Sequence, residues 1–455
     1  MILTDANTIS KAVYTLCQKA NCSYPQDLYN LLYKKYLNSD GLKHQKYYYI
    51  LKNIEMSNEK QRPLCQDTGQ VIVFVEIGSN VHITGLSIEK TINAAVEKAY
   101  KDNFFRKSTV KNAIFDRRNT STNTPAIIYT EISEKDPDTI RLKLMVKGAG
   151  SENYSTIKMF KPTSEKKEIF EFIKDSVISA GEKSCPPLCL GVGIGATMDK
   201  AAVLSKKAFF NTNETVEEKA FCEELKKYLK NYNLDILNIK IITTATHIAC
   251  LPVALTINCH STRHCECVIK ENSIEFTDDD LEVKAIEYTD ENQIEINTED
   301  IQSIKKLKKG MRILLTGQIY TARDAAHEKM AEYEKEHGAM PFDIKDKIIF
   351  YAGPCPPAPN EIIGPVGPTT SVRMDKFSEV MYSKGLAATI GKGERTAETE
   401  NIIQKYNGKY FTAQGGVACL LADCIKKSEI IAFEELGTEA VRKLYVEKFP
   451  VTVEI

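Results

Sequence analysis

Three cysteines in loop-like settings are the residues best suited to chemistry. Cys65 lies in Leu64-Cys65-Gln66-Asp67-Thr68-Gly69, just ahead of an apolar run. Cys185 opens Ser184-Cys185-Pro186-Pro187, ahead of a glycine-rich turn expected from Gly191 to Gly195. Cys259 lies in Ile257-Asn258-Cys259-His260-Ser261-Thr262-Arg263-His264. Three thiolates on a four-iron cluster leave one iron open to bind and polarise a substrate oxygen, which is a dehydratase arrangement. Asp67 stands two residues from Cys65 at a strand entrance, so both side chains can face one cavity. The plainer reading of Asp67-Thr68-Gly69 is a turn tripeptide.

Arginines add a second theme. Arg106, Arg323 and Arg373 each sit beside small or hydroxyl residues, in Phe105-Arg106-Lys107-Ser108, Thr321-Ala322-Arg323-Asp324-Ala325-Ala326-His327 and Thr369-Thr370-Ser371-Val372-Arg373. Guanidinium groups recognise carboxylates in a bidentate fashion, so several in one pocket suit a dicarboxylate. Taken singly, each arginine also suits a solvated salt bridge. Gly191-Val192-Gly193-Ile194-Gly195 hints at a phosphate cradle but lacks the GxGxxG spacing, and close helix–strand packing is the competing account. Gly391-Lys392-Gly393 fails as a P-loop for want of the earlier glycine. His247 closes the apolar run Ile241-Ile242-Thr243-Thr244-Ala245-Thr246.

Several elements are expected to position these residues. Residues 5–35 read as helical, followed by a polar crossing with several tyrosines. A strand is expected over 70–77 with Val71, Val73 and Val75 on one face, then a helix over 87–101 and a strand over 141–146. Helices are expected over 163–183, 197–210 and 217–230, with a short buried strand at 188–192. Residues 274–308 turn acidic and then basic with weak periodicity, as at a domain junction. Beyond it come strands at 311–315, 348–351, 386–390 and 430–433, and helices at 322–334 and 396–406. The proline-rich segment 353–359 cannot lie inside a sheet. Strands and helices alternate in both halves, so the fold class is α/β or mixed.

At 455 residues the chain has length for two or three domains. Its 43% hydrophobic and 27% charged content are ordinary for a globular protein, and a net charge of −1 gives no reason to expect a nucleic-acid partner. No run approaches the ~18 apolar residues of a membrane span. The start, Met1-Ile2-Leu3-Thr4-Asp5, matches neither a secretory nor an arginine-rich targeting pattern, so a cytoplasmic location is expected. Thirteen cysteines spread along the chain without a CxxC pair argue against a disulfide framework or a zinc ribbon. Cys17, Cys222, Cys250, Cys419 and Cys424 read as core packing.

Taken in order, these motifs resemble the iron–sulfur (class I) fumarate hydratases and their L-tartrate dehydratase relatives over nearly the whole chain. The first half carries Cys65-Gln66-Asp67-Thr68-Gly69, Lys147-Gly148-Ala149-Gly150-Ser151-Glu152-Asn153, Cys185-Pro186-Pro187, Thr246-His247 and Asn258-Cys259. The second half carries Ala322-Arg323-Asp324-Ala325-Ala326-His327, Gly367-Pro368-Thr369-Thr370-Ser371-Val372-Arg373-Met374-Asp375 and Gly391-Lys392-Gly393. The resemblance implies the family's α and β parts fused in one chain: an N-terminal cluster-binding α/β domain over 1–275, a linker over 276–290, and a C-terminal swivelling β/β/α domain over 291–455. It implies Cys65, Cys185 and Cys259 as ligands of a [4Fe-4S] cluster with one open iron site. Cys189, four residues past Cys185, and a second Cys-Pro-Pro at Cys355 leave the ligand choice open.

The resemblance further implies Gln66, Arg106, Gly148, Arg323, Thr370, Arg373 and Lys392 around a small dicarboxylate. It implies Thr369, Asp67 and His247 as catalytic residues. The resemblance favours Thr369 as the base, which would need Lys392 or an arginine to stabilise its alkoxide; Asp67–His247 is the physical rival for the proton. The implied reaction is reversible dehydration of L-malate to fumarate, the alternative substrate being L-tartrate or a methylated malate. A homodimer is implied, with neither membrane nor nucleic acid as a partner.

Overall fold

Pro25 makes the first break in the chain: it has no N–H to donate and restricts the residue before it. The helix expected over 5–35 is therefore two, Ala6–Cys22 and Gln26–Leu37. The computed structural model describes residues 2–277, 281–288 and 293–455. The linker expected at 276–290 falls partly outside them. The chain divides into two units, Met1–Lys35 with Asp67–Val283 and Tyr36–Gln66 with Lys284–Ile455.

The first unit holds two sheets. One runs in the order Ser273–Phe276, His264–Lys270, Thr139–Lys147, Gln70–Gly78, Ile127–Ser133. Val71, Val73 and Val75 share one face of the strand Gln70–Gly78, as its period of two predicts, and pack with Ile9, Val13, Ile92 and Val96 from helices Ala6–Cys22 and Ile88–Asp102. The opposite face is also covered: Ile72 and Phe74 are buried, and Phe210 meets the Phe74 ring edge-on at 6.1 Å. The other sheet runs Thr156–Phe160, Leu251–Asn258, Leu188–Ala196, Ile236–Thr246. Helices Lys166–Ala180 and Val216–Lys230 supply Ile173, Val177, Leu225 and Leu229 to its core.

The expected turn from Gly191 to Gly195 is in fact the body of the strand Leu188–Ala196. Helix Met198–Lys207 lies so close that a Cβ on Gly191 would stand 2.1 Å from the Ser205 carbonyl oxygen, and one on Gly193 2.2 Å from that of Ala201. The glycines serve helix–strand packing and not a phosphate cradle.

In the second unit, strands Gln293–Asn297, Arg312–Thr321, Ile348–Phe350, Ala388–Gly391 and Lys409–Thr412 run parallel in that order. The long strand Val441–Val453 pairs antiparallel with Lys409–Thr412, with Ile425–Ala432 and again with Arg312–Thr321, so the sheet closes into a ring. Met330, Met381 and Ile403 from helices Asp324–His337, Ser378–Ser383 and Ala397–Lys405 share a core with Ile349, Tyr351 and Tyr410.

The polar crossing expected after residue 35 is instead largely the helix Gly41–Lys60. Its buried stripe is Tyr47, Ile50, Leu51 and Ile54, and the tyrosine serves as an apolar body. Asn53 anchors it: its amide donates to the Leu64 and Gly416 carbonyls at 3.0 and 3.3 Å and accepts the Cys419 and Leu420 N–H groups at 2.9 and 3.2 Å. Among the described residues no helix is long and apolar enough to cross a membrane.

Candidate active site

In the first unit, the turn at Asp67 is built by glycine. Gly69 takes a φ of +57°, and a Cβ there would lie 2.6 Å from the Lys147 carbonyl oxygen. The Asp67 carboxylate accepts the Gly69 N–H at 3.1 Å and the Ala149 N–H at 2.9 Å. Arg106 stands 3.6 Å from the same carboxylate, and the Thr68 hydroxyl donates to the Arg106 carbonyl at 2.6 Å, which fixes one relative to the other. Asn123 holds the turn from behind, donating to the Gly69 carbonyl at 3.0 Å and accepting the Ser108 N–H at 2.8 Å. Gly148 completes the corner, because a Cβ on it would meet Arg263 Nη2 at 2.8 Å and Asp67 Oδ2 at 3.1 Å. The structure thus brings Asp67, Arg106 and Gly148 together.

It also adds Arg263, a buried residue whose guanidinium donates to the Asp67 carbonyl and reaches Asn21 Oδ1 at 3.4 Å. Burial alone would raise the Asp67 carboxyl, but Arg106, Arg263 and the two N–H donors more than offset it and hold the group below its ordinary range. Sequence reasoning missed Arg263, although it lies four residues past Cys259; a cation that close to a candidate ligand was the available signal.

Cys185 and Cys259 stand at neighbouring ends of one strand pair, Leu188–Ala196 against Leu251–Asn258, in which Cys189 is opposite Asn258. Cys185 follows a short 3-10 turn and takes the left-handed conformation, φ +54°, which is uncommon for a residue with a side chain. Its carbonyl accepts the His260 N–H at 3.3 Å and lies 3.0 Å from His260 Nδ1, so the two cysteine loops are stitched together. Tyr24 donates to the His260 carbonyl at 2.5 Å. Cys259 Sγ lies 2.9 Å from the Ser261 hydroxyl.

Lys147, buried at the end of the strand Thr139–Lys147, donates to the carbonyl of Ile257, two residues before Cys259, at 2.6 Å and to Ser151 Oγ at 2.8 Å. Burial pushes its amine down to about 8, against the Glu152 carboxylate, which favours the charge. Backbone-anchored thiols with cations close by fit thiolate ligands of a soft metal group. Cys189 does not fit: it is sealed in the sheet, and burial pushes its thiol far above the ordinary range. Among the described residues no three His, Cys, Asp or Glu side chains form a ready-made metal site.

His247 is not paired with Asp67. It is exposed just past the strand Ile236–Thr246, and its Nδ1 accepts the Ala249 N–H at 3.1 Å. With Met159, Met198 and Cys250 it lines a surface cavity of about 410 Å³. Cys250, expected in the core, is therefore half-exposed on a loop, whereas Cys17, Cys222 and Cys419 are buried and Cys424 is half-buried at a helix end.

The second unit carries the rest. Cys65 is half-buried, its Sγ 3.6 Å from Gln66 Oε1. Gln66 is buried against Gly367, where a Cβ would come within 2.4 Å of its Oε1. Cys355 is buried and its thiol donates to the Gln66 carbonyl at 3.4 Å. Thr369 is buried; its N–H donates to the Tyr351 carbonyl at 2.7 Å and its carbonyl accepts the Lys392 N–H at 3.2 Å. Thr370 forms a parallel bridge with Lys392, so the hydroxyl pair and the lysine share one patch of backbone. Arg373 is exposed and pairs with Asp324, with Nε 2.8 Å from Oδ1; Arg323 pairs with Glu439 at 3.1 Å.

Both halves match known proteins. The family profile described as Fumarate hydratase (Fumerase) covers residues 10–268, and that described as Fumarase C-terminus covers 267–455. The chain belongs to the fumarate hydratase family. Fumarate hydratase 1, mitochondrial, of Leishmania major is 28% identical over 439 residues, covering 88% of this chain and 79% of its own. Fumarate hydratase class I, aerobic, of Salmonella typhimurium is 28% identical over 440 residues, covering 88% and 75%. A candidate L(+)-tartrate dehydratase alpha subunit of Methanocaldococcus jannaschii is 32% identical over 272 residues, covering 56% of this chain and 95% of its own. Membership in this family agrees with the mixed α/β architecture of both units.

Proposed function

We propose that this protein is a hydro-lyase that interconverts L-malate and fumarate, and that it depends on a [4Fe-4S] cluster. One observation carries the reading: the two family profiles run end to end, so the cysteine-bearing and the arginine-bearing halves are present in one chain. A cluster held by Cys65, Cys185 and Cys259 would supply a Lewis acid for the hydroxyl that leaves C2.

The chain's own residues do the remainder. Arg106, Arg323, Arg373 and Lys392 neutralise the two carboxylates of the substrate, with Gln66, Gly148 and Thr370 shaping the seat, and so fix the C2–C3 torsion. For the arginines this means exchanging an internal carboxylate for the substrate's, since Arg323 and Arg373 are held by Glu439 and Asp324. Thr369, having lost its own proton to solvent and held as an alkoxide by Lys392, to which it is tied through the backbone, takes the C3 proton and returns to the neutral hydroxyl, while Lys392 offsets the charge that builds at C3. The rival base pair is disfavoured, because His247 is engaged with Ala249 and Asp67 is held by Arg106 and two N–H donors.

An anaerobic assay of the reconstituted protein tests this, following fumarate formed from L-malate with L-tartrate in a parallel cell. Thr369→Ala is expected to abolish dehydration while leaving the visible absorbance of the cluster intact; substantial retained activity removes Thr369 from the base role. Activity is also expected to decay in air and to return with iron and thiol, and full activity after exhaustive aerobic chelation would sink cluster dependence. The 32% identity to the candidate tartrate dehydratase subunit keeps L-tartrate as the second reading, and turnover of tartrate with silence on malate selects it. The same proposal takes the protein as a cytoplasmic homodimer, which sedimentation and cell fractionation decide.

A further inference from the structure

Arg395 is charged, fully buried in its side chain, and absent from every step above. Its Nε makes an ion pair with Asp375 Oδ1 at 2.7 Å. The two other guanidinium nitrogens donate to Ser378 Oγ at 2.7 Å and to the Tyr351 hydroxyl at 3.2 Å. The guanidinium carbon lies 5.4 Å from the Tyr351 ring centroid and 5.2 Å from that of Tyr410, distances at which a cation is attracted to the aromatic face. Asp375 is bound in turn by Thr396, through its N–H at 2.9 Å and its hydroxyl at 2.8 Å.

These partners come from the segments that carry the proposed reacting groups. Tyr351 accepts the Thr369 N–H at 2.7 Å through its carbonyl. The Tyr410 hydroxyl donates to the Gly393 carbonyl at 2.6 Å and lies within hydrogen-bond distance of Ser371 Oγ, 2.8 Å, so one hydroxyl holds the residue after Thr370 and the residue after Lys392. Between them run the Ser371 N–H to the Lys392 carbonyl, 3.0 Å, and the Lys392 N–H to the Thr369 carbonyl, 3.2 Å. Ser371 also sits where a side chain on Gly391 would be, 1.9 Å from the position of its Cβ.

We infer that Arg395 is a positioning residue for Thr369 and Lys392: its buried fork locks Tyr351, the helix Ser371–Phe377 with Ser378, and the turn after Gly393 into one register. The part concerning catalysis rests on the proposed roles of Thr369 and Lys392. A planar fork bonds three partners in fixed directions, which a lysine ammonium at the same place cannot reproduce. Burial of such a pair adds little net stability by itself, so its effect is sought in geometry.

The test uses the full chain and two variants, Arg395→Lys and Tyr410→Phe, with two readouts. Hydrogen exchange at the amides of Thr369, Ser371 and Lys392 is expected to rise roughly tenfold or more in Arg395→Lys, while the amides of strand Arg312–Thr321 keep their wild-type rates. Its kcat is expected to fall about 100-fold with a much smaller change in KM, as for a reacting group displaced by a fraction of an ångström to one ångström. Tyr410→Phe, which loses a single hydroxyl, is expected to show the same pattern at smaller size and keeps the test decisive if Arg395→Lys does not fold. Unchanged exchange at those three amides overturns the positioning role, as does a lower Tm with kcat intact. A wild type that dehydrates no diacid fails the functional reading alone, because the exchange readout needs no substrate.

Discussion

Two Cys-Pro-Pro tripeptides, one in each unit, are handled in opposite ways. Cys185 stands in a left-handed turn at a strand entrance, its carbonyl tied to the loop that carries Cys259. Cys355 is sealed in the second unit, with its N–H on the Pro365 carbonyl and its thiol on the Gln66 carbonyl. The neighbouring prolines differ as well, since Arg62 donates to the Pro356 carbonyl at 3.0 Å and fastens that segment to the chain before Cys65. The tripeptide sets a stiff backbone in both places, but the surroundings decide whether the sulfur is a candidate ligand or a hydrogen-bond donor. The units differ likewise around their charges. The first gathers Arg106 and Arg263 about a carboxylate, whereas the second gathers carboxylates about Arg323 and Arg373.

The sharpest break of the comparison is Cys185→Ser. Loss of one thiolate should remove the cluster's visible absorbance and most of the bound iron. Activity should fall roughly a thousandfold or more, as expected when several kcal/mol of Lewis-acid stabilisation is lost. A Cys185→Ser protein that keeps both absorbance and turnover would make Cys185 as structural as Cys355.

Gly148→Ala comes next and probes the charge cluster of the first unit. The added methyl would meet Arg263 Nη2 at 2.8 Å and Asp67 Oδ2 at 3.1 Å. Both atoms end side chains that are already held, so they must shift together. The expected loss is about 100-fold in kcat/KM with a Tm close to wild type, since displacement and not unfolding is the cost. A wild-type kcat/KM would mean that the corner tolerates a side chain and that Gly148 seats nothing.

The second unit is probed by a buried imidazole that is held neutral. His327 is buried, with Nδ1 3.0 Å from the Arg323 carbonyl and its ring against Tyr351 and Phe377. Burial pushes its imidazole down to about 4, with nearby Arg395 acting in the same direction and Asp324 opposing it. Between about pH 6.5 and about 4 the unfolded chain binds a proton that the folded one does not, so stability falls as pH falls through that window. The full loss is roughly 3 kcal/mol, and thermal melts from pH 7 to 4.5 should show a flatter acid slope in His327→Phe than in wild type. Parallel slopes would place the acid sensitivity elsewhere.

How much of this was legible follows from the same contrasts. The strand Gln70–Gly78 was readable because valine recurs at every second position, Val71, Val73 and Val75, and the helix Ile88–Asp102 because it has one buried stripe at the helical period. The helix Gly41–Lys60 was not, because the run Tyr47-Tyr48-Tyr49 turns alike residues to different sides, with Tyr47 buried and the other two half-buried, and so masks the stripe. Nor was the strand Val441–Val453, whose three partners and register shifts blur any single alternation. Motif residues such as Cys185 or Thr369 are visible in sequence because their neighbours carry the signal. Arg263 has a sequence signal in its closeness to Cys259, but it bonds the carbonyl of a residue 196 positions away, and that partner comes only from the fold. Arg395 is the same case, held between rings of Tyr351 and Tyr410 that no spacing rule connects.

The smallest effect is expected from Cys355→Ser, and it closes the comparison with Cys185. The Cys355 thiol is a weak donor to the Gln66 carbonyl at 3.4 Å, and a serine hydroxyl at the same place donates more strongly over a shorter reach. Both donors keep the buried carbonyl satisfied, so stability should move by less than about 1 kcal/mol. Iron content and cluster absorbance should match wild type, with kcat within about twofold, since neither side chain touches the substrate in this scheme. Cys355→Ala would be harsher, because it leaves the Gln66 carbonyl without that donor beside Cys65. If instead Cys355→Ser loses the cluster while Cys185→Ser retains it, the second Cys-Pro-Pro is the ligand and the assignment of the two segments is reversed.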